Sequence, residues 1–121
     1  MHRFTIKAQE ALQNAQDIAA RENHGEFKII HLLISLLSDE NSLVRPLIVK
    51  AGVNLDSLSR ALQEELKKQP KIFGSASTAQ LYLSQELMTT LDKATKIATI
   101  QKDEYISCEH LLLAMIEMPS S

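Results

Sequence analysis

The chain repeats itself at an offset of 79 residues. Laid without a gap over Leu83–Ile116, the segment Phe4–Leu37 shares Leu12 with Leu91, Ala15 with Ala94, Ile18 with Ile97 and Ala19 with Ala98. The tripeptide His31-Leu32-Leu33 recurs as His110-Leu111-Leu112. These identities are few, but they fall on one apolar stripe and one shared tripeptide, where a common packing scheme would place them. A unit written twice in so short a chain leaves little freedom. Each copy carries the same apolar face, so the two are expected to pack as a pseudo-symmetric pair.

Within each copy the period is helical. Ala8, Ala11, Leu12, Ala15, Ile18 and Ala19 recur at steps of three and four, which sets them on one stripe of a helix. Thr5, and Ser84 at the matching position, stand where a hydroxyl caps the first turn. The helix is expected to fade around Asn23-His24-Gly25. A second, over Ile30–Leu37, has almost no polar face and belongs in the middle of a bundle. After the polar stretch Ser38–Ser42, Leu43, Val44, Leu47, Ile48 and Ala51 mark a third helix, with Pro46 near its first turns and Gly52 at its end. Asn54 caps a fourth, carrying Leu55, Leu58, Ala61, Leu62 and Leu66.

The expected fold is all-α, two pseudo-symmetric repeats packed as a single bundle: repeat one over about 4–68, a linker over about 69–82, and repeat two from about 83. The linker holds Pro70, Gly74 and small hydroxyl residues. Repeat two is expected to be incomplete at Ser121, because the counterparts of helices three and four fall beyond Ile116, leaving about 25 to 30 residues unaccounted for. Without them, an apolar surface would need covering by a partner or a second copy.

Composition narrows the function. With 45% hydrophobic residues, 4% aromatic and no Trp, the chain suits helices packed by Leu, Ile and Ala better than a sheet. A net charge of −2 supplies no basic field for a phosphate backbone, which speaks against nucleic acid as a partner. Cys108 stands alone, so no intrachain disulfide forms, and a reducing compartment is the simpler setting. The chain opens directly into amphipathic sequence, with neither a signal core nor a membrane-spanning stretch, so a cytoplasmic location and no membrane partner are expected.

No catalytic arrangement emerges. His31 and His110 invite a metal reading, but neither has a second ligand at helical spacing, and hydrogen-bonded structural histidines are the better account. Cys108 lacks a His or Asp constellation and reads as inert. Glu64-Glu65 and Asp103-Glu104 read as solvated surface, and Lys67-Lys68 as a favourable helix end. The phosphate-loop pattern Gly-x-x-x-x-Gly-Lys-Ser/Thr is absent from the sequence.

Three stretches point to a family: Phe4-Thr5-x-x-Ala8; Leu81-Tyr82-Leu83-Ser84-x-Glu86-Leu87; and Asp103-Glu104-Tyr105-Ile106-Ser107-x-Glu109-His110-Leu111-Leu112. Together they resemble the Clp amino-terminal domain, most closely that of ClpB-type AAA+ disaggregases. The resemblance implies a non-catalytic, mobile recognition module tethered to the ATPase rings of a homohexamer. Such a module captures exposed hydrophobic segments of unfolded or aggregated polypeptides. It implies no cofactor here, with ATP and magnesium only in downstream modules. The positions matching the family's substrate contacts are Thr5, Asp103 and Glu109, beside a shallow apolar groove to which Leu83, Leu87 and Leu91 would contribute. Each also has a plain structural role: Thr5 as a cap, Glu109 on the favourable end of a helix dipole, the leucines as core. Repeat one departs by carrying Ile30 where repeat two has Glu109. The alternatives are an adaptor-docking domain of a protease-associated Clp ATPase, or a free-standing helical repeat protein. A small enzyme is the weakest. The isolated domain is expected to be a monomer or weak dimer.

Overall fold

The offset of 79 holds element by element in the computed structural model, which describes residues 3–71 and 81–117. Repeat one comprises β1 (Arg3–Phe4), α1 (Ile6–Arg21), β2 (Glu26–Phe27), α2 (Ile29–Ser38), α3 (Val44–Lys50) and α4 (Leu55–Lys68). Repeat two comprises β3 (Tyr82–Leu83), α5 (Gln85–Ile100), β4 (Tyr105–Ile106) and α6 (Cys108–Glu117). Tyr82 thus stands in a strand. Residues 72–80 of the expected linker, and the last four of the chain, lie outside the described residues.

The helices begin and end as their sequences dictate. Thr5 Oγ1 accepts from the Ala8 amide (3.1 Å) and Ser84 Oγ from the Leu87 amide (3.1 Å), each satisfying a first-turn donor that the helix cannot. Both long helices close on a residue with positive φ, Asn23 (58°) and Lys102 (61°). Beyond α1 the His24 amide bonds back to Ala19 and the Asn23 amide to Ala20; beyond α5 the Asp103 amide bonds to Ala98 and the Lys102 amide to Thr99. This is the Schellman closure. Asn tolerates the left-handed region, whereas Lys102 bears its strain. Lys102→Gly should therefore raise stability by about 1 kcal/mol, read as a higher urea midpoint at unchanged slope. After α3 the same turn is made by Gly52, at φ 90°.

The shorter helices, α2 and α6, start on an unusual cap. The Lys28 amide donates to His31 Nδ1 (2.9 Å) and the Ser107 amide to His110 Nδ1 (2.8 Å). A histidine at the third helical position does here what Glu or Gln does in a capping box.

The repeats are joined by exchange. β1 runs parallel to β4, with Arg3 opposite Tyr105 and Phe4 opposite Ile106. β2 runs parallel to β3, with Glu26 opposite Tyr82 and Phe27 opposite Leu83. The first strand of each copy therefore pairs with the second strand of the other. This places a pseudo-two-fold relation between them. The Thr5 amide donates to the Ile106 carbonyl and the Ser84 amide to the Phe27 carbonyl, each at 3.0 Å.

The core lies where the identities fell. Ala15, Ala19, Leu32 and their partners Ala94, Ala98 and Leu111 have no exposed surface, and Leu36 and Leu87 complete the same cluster. The buried alanines let the helices approach closely, and α2 takes the central place its apolar sequence called for. Ser35 is buried among them but satisfied, donating to the Ala11 carbonyl (2.6 Å) and accepting from Asn14 (3.0 Å). The repeats differ at their outer faces. Leu37, on the helix that α3 and α4 pack against, is 6% exposed, but its counterpart Ile116 is 66% exposed. Among the described residues, no helix covers α6 as α4 covers α2.

Candidate functional site

The parallel pairing of β1 with β4 sets the first turns of α1 and α6 side by side. Thr5 and Glu109 therefore share one edge of the molecule. Thr5 is half-buried, its Oγ1 engaged as a cap. Glu109 is half-buried in the first turn of α6, and its carboxylate has no ion pair among the described residues. Next to them Lys7 meets Asp39 at 3.0 Å on the wall of a cavity of about 300 Å³ that Cys108 also lines. The hydrogen bond between the two raises the Lys7 pKa and lowers that of Asp39. Burial, with Glu109 and Asp39 nearby, pushes the Cys108 thiol above its ordinary value, so the reactive thiolate is disfavoured.

Asp103 reaches the same region from the other end of β4. Because His110 Nδ1 accepts from the Ser107 amide, the proton of the neutral ring sits on Nε2. That nitrogen meets Asp103 Oδ2 at 2.9 Å and Gln101 Oε1 at 3.0 Å. Asp103 is thus anchored to the residue next to Glu109, and one of its oxygens is already engaged. His31 is built the same way, its Nε2 lying 2.8 Å from Nδ1 of His24, the counterpart of Asp103. Both rings have their nitrogens taken by protein hydrogen bonds, and both are buried. They are structural histidines.

The leucine groove expected beside Thr5 does not form there. Leu83 lies in β3, and β3 pairs with β2 beyond the far end of α1. The 16 residues of that helix separate the two strand pairs by about 24 Å. Leu87 has no exposed surface and belongs to the core; Leu91 is half-buried against it. Stripe spacing alone does not distinguish a groove wall from a core face.

A groove of about 780 Å³ does open at this opposite end. Ile29, Ile30 and Leu33 of α2 and Leu62 of α4 give it apolar walls, while Glu26, Glu65 and Glu86 stand around it with Lys28. Lys28 itself is tied to Gln69 (2.9 Å) and lies 3.8 Å from Glu26. The pseudo-two-fold relation gives the groove its meaning. Ser84 and Ile30, both on its lining, are the counterparts of Thr5 and Glu109. The same edge occurs twice, once acidic and once apolar. The signal for this was the departure at one position, Ile30 where repeat two has Glu109.

Residues 3–121 match the Clp repeat (R) N-terminal domain family. Among characterised proteins the chain is similar to the chaperone protein ClpB of Nitratidesulfovibrio vulgaris, at 38% identity over 120 residues, 98% of this chain and 14% of that protein. Among solved structures it is similar to the Hsp104 N-terminal domain from Candida albicans, with a TM-score of 0.85 and 25% identity over 96% of this chain and 75% of that one. A ClpV N-domain in complex with a VipB peptide has the same fold, with a TM-score of 0.75 and 18% identity over 94% of this chain and 68% of that one. Such domains are non-catalytic N-terminal parts of AAA+ ATPases. Matched from residue 3 to residue 121, and similar to the domain carried by ClpB-type chaperones, the chain belongs to the Clp N-terminal domain family.

Proposed function

We propose that this domain captures exposed apolar segments of unfolded or aggregated polypeptides for an ATP-dependent Clp chaperone, and that the groove at the Ser84–Ile30 edge receives them. The observation that carries this is the apolar lining of Ile29, Ile30, Leu33 and Leu62 left open beside a strand pair. An unfolded segment offers apolar side chains and little else that is constant, and burial rewards their area at about 25 cal/mol per Å². A shallow groove buries little of that area, so capture is weak and transient. The Thr5–Glu109 edge, with Asp103 anchored behind it, is the polar contact surface in this reading.

Titration with a soluble, permanently unfolded protein, followed by backbone amide shifts, tests it. Shifts should centre on Ile29–Leu33, Leu62 and Ser84 and persist in raised salt, because apolar burial is not screened. Ile30→Glu, which copies the residue repeat two already tolerates at this position, should weaken binding by about tenfold or more and leave the fold unchanged. Thr5→Ser, which retains the cap, probes the other edge without disturbing α1. Shifts confined to Thr5, Asp103 and Glu109, with the groove silent, would move capture to that edge, and no shifts from the folded domain would favour docking of a folded adaptor.

A further inference from the structure

The two repeats handle one added proton differently. In repeat one, His31 Nδ1 accepts from the Lys28 amide (2.9 Å), so the ring proton sits on Nε2 and is donated to His24 Nδ1 (2.8 Å). His24 then carries its own proton on Nε2, which is buried and has no acceptor among the described residues. This chain has one arrangement for two neutral rings. Protonating His24 Nδ1 sets N–H against N–H; protonating His31 Nδ1 breaks the bond from Lys28. In repeat two, the same position opposite His110 is an aspartate. Asp103 Oδ2 (2.9 Å) and Gln101 Oε1 (3.0 Å) face Nε2, and Ser107 Oγ lies 3.0 Å from Nδ1. Protonating His110 Nδ1 also gives up the bond from the Ser107 amide (2.8 Å), but the new N–H has Ser107 Oγ beside it, and the Nε2 proton keeps its two oxygen acceptors.

We propose that His24 and His31 form an acid-operated latch, through which repeat one opens at its α1–α2 junction while repeat two stays closed. The inference stands whatever the groove binds. The charges around the pair give the added proton little help. Glu22, at the end of α1, is opposed by Lys28 at the start of α2 and by Lys71, whose backbone bridges to His24. Glu26 is shared with Lys28. Burial lowers the pKa of both rings, with His24 and Lys28 adding to the effect at His31, which falls to about 4.

The sign follows. Opened, each ring titrates near its ordinary value of about 6.5; closed, His31 stays neutral down to about 4. As pH falls between those values the open form gains protons that the closed form refuses, so opening is favoured. From pH 7 to pH 5 the shift at His31 alone multiplies the opening equilibrium by about twentyfold. What loosens is the start of α2, where Ile29, Ile30 and Leu33 line the groove, together with the backbone bridge at Lys71.

Hydrogen exchange read by mass spectrometry at pH 7 and pH 5, corrected for intrinsic rates, tests the latch in the unmodified protein. Protection over residues 22–34 should fall about twentyfold while that over residues 101–113 holds. His24→Asp, which gives repeat one the oxygen acceptor of repeat two, should abolish the difference. Equal behaviour of the two segments in the unmodified protein would overturn the proposal, as would an undiminished fall in His24→Asp.

Discussion

Leu32→Ala and Leu111→Ala should each lower stability by about 3 kcal/mol. Both side chains have no exposed surface and stand at matched positions in the two repeats, each one residue after the histidine that caps its helix. Removing three carbons from either loses their transfer free energy and leaves a cavity. The neighbouring alanines, already at minimal size, cannot relax to fill it. Because the strands are exchanged between copies, neither repeat holds a complete core alone. The two substitutions should therefore move one cooperative transition by similar amounts, with the urea midpoint falling and the slope unchanged. Two separate transitions, or a loss below about 1 kcal/mol at either site, would mean the repeats are stabilised independently.

That equivalence was legible in the sequence because the identical pairs are the residues with least room to vary. Ala15 and Ala94, Ala19 and Ala98, Leu32 and Leu111 all lie at zero exposure, and one offset correctly placed every element that has a counterpart. The strands were not legible. Two residues are too few to show an alternating pattern, and each pairs with a segment from the other copy. The candidate site was only partly legible. Thr5 and Glu109 do share an edge, but the leucine stripe led to the wrong end of α1, since a core face and a groove wall have the same period. The groove escaped because α2, α4 and the start of α5 build it together, which no single segment announces. The partners of the capping histidines escaped for a different reason. His24 and Asp103 occupy the same position with different chemistry, so a search for identities passes over them.

His110→Ala should remove about 3 kcal/mol, and His110→Gln should return about 1 of it. At only 6% exposure, the ring is the acceptor for the Ser107 amide and the anchor for Asp103 and Gln101. Alanine orphans the amide at the start of α6, frees a carboxylate that had a buried partner, and leaves a void beneath the helix. Glutamine at the same position can reach back to the Ser107 amide as in an ordinary capping box, restoring the start of α6 but not the link to Asp103. The pair thus separates the cap from the anchor, with urea denaturation giving the stabilities. If Asp103 contributes to capture only when held beside Glu109, the glutamine variant should bind unfolded protein more weakly than its recovered stability suggests. Binding restored in step with stability would assign His110 to the helix cap alone and Asp103 to the surface. A loss below about 1 kcal/mol in His110→Ala would show that Ser107 and Gln101 hold this turn without the ring.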